Sequence, residues 1–175
     1  MNMNRFADID WDSWRPQQRA TLLFVIRDGE VLLIHKKRGL GAGKINGPGG
    51  RIDDGESALA AAVREVQEEV RVNPTGVQHC GELAFQFVDG LALHCVVFRA
   101  SGCQGEPQET DEARPLWTPL DRIPYDRMWA DDRHWMPLMI AGKKFAGRFL
   151  FDGDTMLGHE IQIYSSILSE ITGEI

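Results

Sequence analysis

Residues 50–72 read GRIDDGESALAAAVREVQEEVRV: a glycine, a glutamate six positions on at Glu56, then the run Arg64-Glu65-Val66-Gln67-Glu68-Glu69. The spacing predicts one amphipathic helix. On a period of about 3.6 residues, Leu59, Ala62, Val63, Val66 and Val70 share one stripe, while Glu65, Glu68 and Glu69 fan over roughly 100° on the other side. One helix therefore packs with one face and presents acid with the other. Glu65 and Glu69 stand at i and i+4, and three uncompensated carboxylates this close repel one another and raise their own pKa values unless a cation joins them. Hard oxygen donors suit Mg²⁺, with Mn²⁺ as the alternative, and Mg²⁺ commonly binds substrate phosphates as well. Most charge runs are simply solvated helix faces. Here the combined spacing of glycine, glutamate and arginine outweighs that reading.

Outward from this segment, the chain of 175 residues with 43% apolar content has room for one domain with its own core. Cys80, Cys95 and Cys103 are odd in number and lack C-x-x-C spacing, as expected of reduced thiols in a cytoplasmic protein. No apolar leader or membrane-length run is present. The net charge of −7 argues against non-specific binding to polymeric nucleic acid, because no basic stripe exists to release counterions. A monomer that acts on a small nucleotide, away from membranes, is the expectation.

Strands are expected at Ala20–Ile26 and Val31–His35 around Asp28-Gly29, and at Leu83–Val88 and Leu91–Arg99 around Asp89-Gly90. A loop over 100–114 leads to the short apolar pair Leu116-Trp117. A second helix is expected over Asp131–Ala141, with an Asp near its start and Gly142 past its end. Strands at Arg148–Phe151 and Thr155–Ile163 close the pattern. Strands interleaved with two helices predict a mixed β-sheet sandwiched between helices, an α/β or α+β architecture. Residues 1–19 read as an N-terminal extension, 20–163 as the domain, and 164–175 as a tail packing on it, with Ile163, Ile167, Leu168 and Ile171 at helical spacing. A dimer contact is the alternative role for that stripe.

The spacing G-x5-E-x7-R-E-U-x-E-E, with U aliphatic, resembles the Nudix box, the signature of enzymes that hydrolyse a nucleoside diphosphate linked to another group. The pattern has glycine where this chain has Arg71, which bears on the helix end rather than the chemistry. Three further stretches, Lys36–Gly50, Glu109–Trp117 and Met128–Trp135, are similar to the MutT group of that family. Within the group they look like the eukaryotic-type hydrolases of oxidised purine nucleoside triphosphates such as 8-oxo-dGTP. The likeness runs from about Thr21 to Ile161 and implies the Nudix fold.

The resemblance implies metal ligands at the carbonyl of Gly49 and at Glu65, Glu69 and Glu112, with Arg64 paired to Glu56 and orienting the carboxylates. It leaves the general base open among Glu65, Glu68 and Glu112. Trp129 offers an indole face for a purine, and Asn46, Asp131 and Asp132 offer donors and acceptors for its edge. Two adjacent aspartates can share a proton, one donating while the other accepts. Phe85, Phe87 and Trp135 match apolar wall positions, and Thr21 and Lys36 match positions near base or sugar. Each has a plainer reading: Phe85 and Phe87 alternate along a strand as core residues do, Trp135 suits a helix core, and Asp131 suits an N-cap. Leu40 and Ala113 replace an aromatic residue and a methionine, which is expected to open the pocket wall. An ordinary nucleoside triphosphate or a dinucleotide is the alternative substrate within the family; a nucleotide-binding module without turnover is the rival class, disfavoured because Glu56, Glu65, Glu68 and Glu69 are all present.

Overall fold

The computed structural model describes residues 3–167, with side chains described through Tyr164. The elements are, in chain order, β1 (Gln18–Arg27), β2 (Glu30–Lys36), β3 (Ile45–Asn46), β4 (Gly49–Arg51), α1 (Ala58–Val70), β5 (Asn73–Thr75), β6 (Gln78–Phe87), β7 (Ala92–Ala100), β8 (Gly102–Gln104), β9 (Ala113–Pro119), α2 (Asp132–Ile140), β10 (Lys143–Asp152) and β11 (Thr155–Ile167). The main sheet runs β11-β10-β6-β7-β1-β2-β3, with β4 added to β1 and β9 to β2, while β5 and β8 pair separately. The β1·β7 and β6·β10 pairs are parallel and the others antiparallel, so the sheet is mixed.

Strict alternation assigns the two faces. Phe24, Val31, Leu33 and Val97 join a core with Trp135, Met136 and Met139 of α2, whereas Leu23, Val25, Leu32, Ile34, Val96 and Phe98 join one with Ala62, Val66 and Val70 of α1. Neighbours in one strand thus feed opposite layers, as the two-residue period demands. The expected sandwich of a sheet between helices is what the chain forms. Leu59 departs from the expected stripe: it is 49% exposed, and Ala61 takes the buried position instead.

The first hairpin turns on Asp28 and Gly29, both at positive φ (52° and 75°), the backbone that a tight hairpin turn requires. Beyond it β1 divides its pairing. Its C-terminal end matches β2 at Ile26↔Val31, while Ala20, Thr21 and Leu22 pair with Arg51, Gly50 and Gly49 of β4. This divergence opens the sheet between β1 and β2, and the cavity described below occupies the opening.

The N-terminal segment packs on the sheet: Phe6, Trp11 and Trp14 form an aromatic chain, Trp14 Nε1 donates to Gln86 Oε1 at 2.9 Å, and the Gln17 N–H donates to the Ala92 carbonyl. At the other end β11 continues to Ile167 against β10, so strand pairing overrides the helical spacing, and Ile163 is 52% exposed. Leu168 and Ile171 lie outside the described residues. The loop over 100–114 also contains β8, which pairs with β5.

Helix α1 starts on Ser57, whose Oγ accepts from the Ala60 N–H at 3.1 Å. It ends on Arg71, which takes the left-handed conformation (φ 62°, ψ 30°) that the glycine of the box pattern would adopt without strain. The stop is therefore kept by the backbone although the residue differs. Arg71→Gly relieves that strain at some cost in unfolded-chain entropy, for a net gain of about 0.5–1 kcal/mol. A rise in Tm of about 2 °C is expected, and a fall in Tm would show that the helix does not end in this way.

Candidate active site

Arg64 organises the acidic end of the site. Its Nε and Nη2 bind both oxygens of Glu56 (2.8 and 2.9 Å), Nη1 donates to Glu65 at 2.9 Å and to Glu68 at 3.3 Å, and Nη2 also reaches the Arg51 carbonyl at 3.0 Å. This guanidinium holds the Glu56 carboxyl down at about 2. The expected Arg64–Glu56 pairing is present, and it ties the 51–57 loop to α1.

Glu69, one turn beyond Glu65, is 3% exposed and accepts the Gly49 N–H at 2.7 Å. Burial pushes its pKa up to about 8; the Gly49 hydrogen bond and the Lys36 charge oppose the rise, while Glu65 and Glu112 add to it. Burial also raises Glu65. The sequence predicted raised pKa values here through mutual repulsion; desolvation proves to be the larger cause, with repulsion added to it. The close approach depends on glycine, since a Cβ on Gly50 would come within 2.6 Å of both Glu65 oxygens and one on Gly49 would overlap the Thr21 carbonyl.

The loop carrying Glu112 docks on this end of α1. Thr110 Oγ1 donates to the Glu69 carbonyl at 2.7 Å, the Gln108 N–H donates to the Val70 carbonyl, and Glu112 binds Arg38 Nη2 at 2.8 Å. Among the described residues, no three carboxylate, imidazole or thiol groups already converge as a metal shell. Glu65, Glu69 and Glu112 instead point to Arg64, the Gly49 N–H and Arg38. The donors nevertheless fit a divalent cation: they are hard oxygens, two of them one helical turn apart, and Glu69 is a buried acid short of positive charge.

A cavity of about 380 Å³ runs from Glu69, Gly49 and Gly50 to Trp129, Asp131 and Asp132, walled by Leu22, Phe24, Phe85, Phe87, Leu93 and Phe151. Trp129 meets Phe87 and Phe151 edge-on at 6.2 and 5.6 Å, and Lys44 Nζ lies 5.3 Å from its ring. Asp131 and Asp132 are 2% and 7% exposed. Asp131 occupies the N-cap position of α2 but makes no capping bond; its Oδ2 accepts from Trp135 Nε1 at 2.8 Å. Burial raises both carboxyls, Asp131 to about 6 and Asp132 well above its ordinary range. The indole N–H favours the charged form of Asp131, and the neighbouring Asp131 opposes ionisation of Asp132.

Thr21, Lys36, Asn46, Phe85 and Phe87 line this cavity with Trp129 and the two aspartates. Thr21 Oγ1 is buried there without a hydrogen-bond partner in the protein, a polar group left for a ligand. Trp135 is not on the wall: it is fully buried behind Asp131, stacked near Phe145, and acts by orienting the carboxylate. Ala113 is also buried away from the cavity, in the α1-side core, so only Leu40 of the two replaced positions opens the pocket. Sequence reasoning missed Gln18, Ala20, Leu93 and Cys95 on the wall. The parallel β1·β7 pairing that brings them together, with Ala20 opposite Cys95, leaves no local signal.

Residues 16–139 match the NUDIX domain family. The chain is 45% identical over 143 residues to a zebrafish (Danio rerio) protein named oxidized purine nucleoside triphosphate hydrolase, covering 81% of this chain and 92% of the relative. It is 41% identical over 144 residues to the mouse (Mus musculus) protein of the same name, again with 81% and 92% covered. The fold is similar to that of a MutT protein from Bacillus halodurans, with a TM-score of 0.74 at 25% identity over 82% of this chain and 97% of that one. A divalent cation is a general requirement of such hydrolases. The box spacing, the Arg64 clamp, the mixed sheet and these likenesses agree, and the chain belongs to the Nudix family of hydrolases.

Proposed function

We propose that this protein is a Mg²⁺-dependent pyrophosphohydrolase that converts oxidised purine nucleoside triphosphates, of the 8-oxo-dGTP and 2-oxo-dATP type, to the monophosphate and pyrophosphate. Such a reaction clears damaged precursors from the nucleotide pool. The observation that carries it is one cavity with two adjacent buried aspartates at one end and the Arg64-clamped acidic helix at the other. The names of the zebrafish and mouse relatives support the same substrate class.

In this reading the purine stacks on Trp129, and Asp131 and Asp132 read its edge, one accepting and one donating, with Asn46 alongside. Moving the shared proton adapts the same pair from an oxidised guanine to an oxidised adenine. Thr21 and Lys36 hold the sugar side, and Phe85 and Phe87 exclude water. Gly49, Glu65, Glu69 and Glu112 are the residues that would hold the cation. A bound Mg²⁺ supplies charge neutralisation on the phosphate oxygens and on the departing pyrophosphate. One carboxylate of Glu65, Glu68 and Glu112 takes the proton of the attacking water, while Arg64 keeps the glutamates in register.

Glu69→Gln is expected to lower kcat by orders of magnitude with the fold intact. Its stability is a second readout. A carboxyl raised from an ordinary 4.5 to about 8 holds its proton in the folded chain at pH values where the unfolded chain has lost it. Metal-free wild type therefore loses stability as pH climbs from about 4.5 to 8, and Glu69→Gln removes that loss. Thermal melts in chelator should show the variant gaining on wild type toward pH 8, and parallel curves would contradict the buried acid.

Attack of water on the β-phosphorus places ¹⁸O from labelled water in pyrophosphate. Label in the monophosphate, or inorganic phosphate as first product, rules out this bond cleavage.

Asp132→Asn fixes the second carboxyl in a neutral form. Because the amide can neither ionise nor pass a proton to Asp131, a base that needs an acceptor there is left with an unpaired buried polar group, at about 1–3 kcal/mol, and kcat/KM for 8-oxo-dGTP is expected to fall at least about tenfold with much less effect on cation affinity. Trp129→Ala should weaken all purines alike. Kinetics of both variants on 8-oxo-dGTP, 2-oxo-dATP and dGTP decide the matter; an unchanged base preference in Asp132→Asn would remove the aspartates from recognition.

A further inference from the structure

Arg38 lies two residues past the end of β2, and Lys36 and Gly39 on either side of it line the cavity. Among the described residues its hydrogen-bond partner is Glu112, at 2.8 Å from Nη2 to Oε1. The backbone on both sides of this pair is pinned. The Lys37 N–H donates to the Glu112 carbonyl at 3.0 Å, Lys37 Nζ reaches the Thr110 carbonyl at 2.7 Å and Glu109 at 2.9 Å, and Thr110 is bound to the end of α1. The Arg38 side chain itself is 65% exposed, so the ion pair sits at the rim on a long, unconfined side chain.

A divalent cation taken up by Glu65, Glu69 and Glu112 would stand beside this guanidinium, like charge against like charge. Glu112 is tied to that end of α1: its N–H donates to Thr110 Oγ1 at 3.2 Å, and that hydroxyl donates to the Glu69 carbonyl at 2.7 Å, one turn beyond Glu65. An exposed ion pair is held weakly, and a triphosphate offers a guanidinium a stronger, two-pronged partner. Arg64 cannot serve, because Glu56, Glu65 and Glu68 occupy it. Lys37 is likewise committed to the loop.

We propose that Arg38 is an exchanging phosphate-binding residue: it holds Glu112 in the free protein and releases it to the cation when the triphosphate arrives and takes the guanidinium. This rests on the proposed function for its substrate, but the exchange with Glu112 concerns the free protein alone. The exchange sets two consequences of opposite sign. Removing Arg38 frees Glu112, so the nucleotide-free protein binds the cation more tightly. The same change removes a phosphate contact, so turnover falls.

The test is a Mn²⁺ titration of nucleotide-free protein by electron paramagnetic resonance, paired with kinetics on 8-oxo-dGTP, for wild type, Arg38→Ala, Arg38→Lys and the Arg38→Ala/Glu112→Gln double variant. Arg38→Ala should tighten Mn²⁺ binding about threefold or more and lower kcat/KM about tenfold or more. Arg38→Lys should recover part of the activity, and the double variant should lose the gain in Mn²⁺ affinity. Unchanged or weaker Mn²⁺ binding in Arg38→Ala, or unimpaired kcat/KM, overturns the exchange. If wild type hydrolyses no purine triphosphate, the functional reading fails, and the Mn²⁺ titration still decides the Arg38–Glu112 exchange.

Discussion

The bidentate bond between Arg64 and Glu56 is the constraint on which the rest of the site depends. Glu56 lies in the loop entering α1 and Arg64 lies two turns along the helix, so the pair fixes how the chain leaves β4 and begins the helix. The remaining nitrogen of the guanidinium then holds Glu65 and Glu68, and Nη2 also captures the Arg51 carbonyl. A lysine offers one point charge and could not satisfy a carboxylate fork, two further carboxylates and a carbonyl in one plane. With β4 locked to α1, Gly49 and Gly50 can bring backbone against Glu69 and Glu65 without any side chain between. The same β4 is held on β1 through Leu22↔Gly49, so the acidic helix and the cavity wall share one rigid frame.

That frame keeps acids where stability alone would not put them. Glu69, Asp131 and Asp132 are buried carboxyls, and each is raised chiefly by desolvation. Their partners are few: one N–H for Glu69, one indole N–H for Asp131. A buried acid with so little compensation marks a position built for something that binds. The two ends differ in what they lack. Around Glu69 the shortage is of positive charge, relieved in part by Lys36 and the Gly49 N–H, whereas the two aspartates stand side by side in an apolar chamber with the Trp135 indole N–H on one of them. In the proposed function a cation answers the first and a hydrogen-bonding base edge the second.

How much of this was legible in the sequence follows from the range of each interaction. The acidic helix, its Arg64–Glu56 support and the first hairpin depend on residues within about two turns or one reversal of one another, and the spacing alone exposes them. The Leu59 error has the same origin: a periodic pattern fixes a helix but not which edge of its stripe faces solvent. The cavity is another matter. Its wall joins β1, β2, β6, β7 and β10, and two of the joins, β1·β7 and β6·β10, are parallel pairings that no local pattern encodes, so Leu93 and Cys95 went unread. Trp135 suited a wall by type and proved to be a support, because a residue one turn from Asp131 is placed to hold that carboxylate rather than to meet a ligand. At the C-terminus, ten strand partners on β10 hold the chain extended as far as Ile167, against the helical spacing of Ile163 and Ile167.

The substitutions at the family's own positions divide by where the backbone puts them. Arg71 stands where glycine is usual, and the chain keeps the left-handed stop regardless. Ala113 lies in the α1-side core, fully buried, so a smaller side chain there is absorbed by packing among Ile34, Val66 and their neighbours and leaves the cavity untouched. Leu40 alone sits at the mouth, 49% exposed, in the glycine-rich loop that brings Gly41 against the Trp129 indole. An aliphatic residue there gives up an aromatic face beside the stacking tryptophan. In the proposed function, grip on the purine then falls more heavily on Trp129 and on the hydrogen bonds of Asn46, Asp131 and Asp132, which would read a base by its edge rather than by its area.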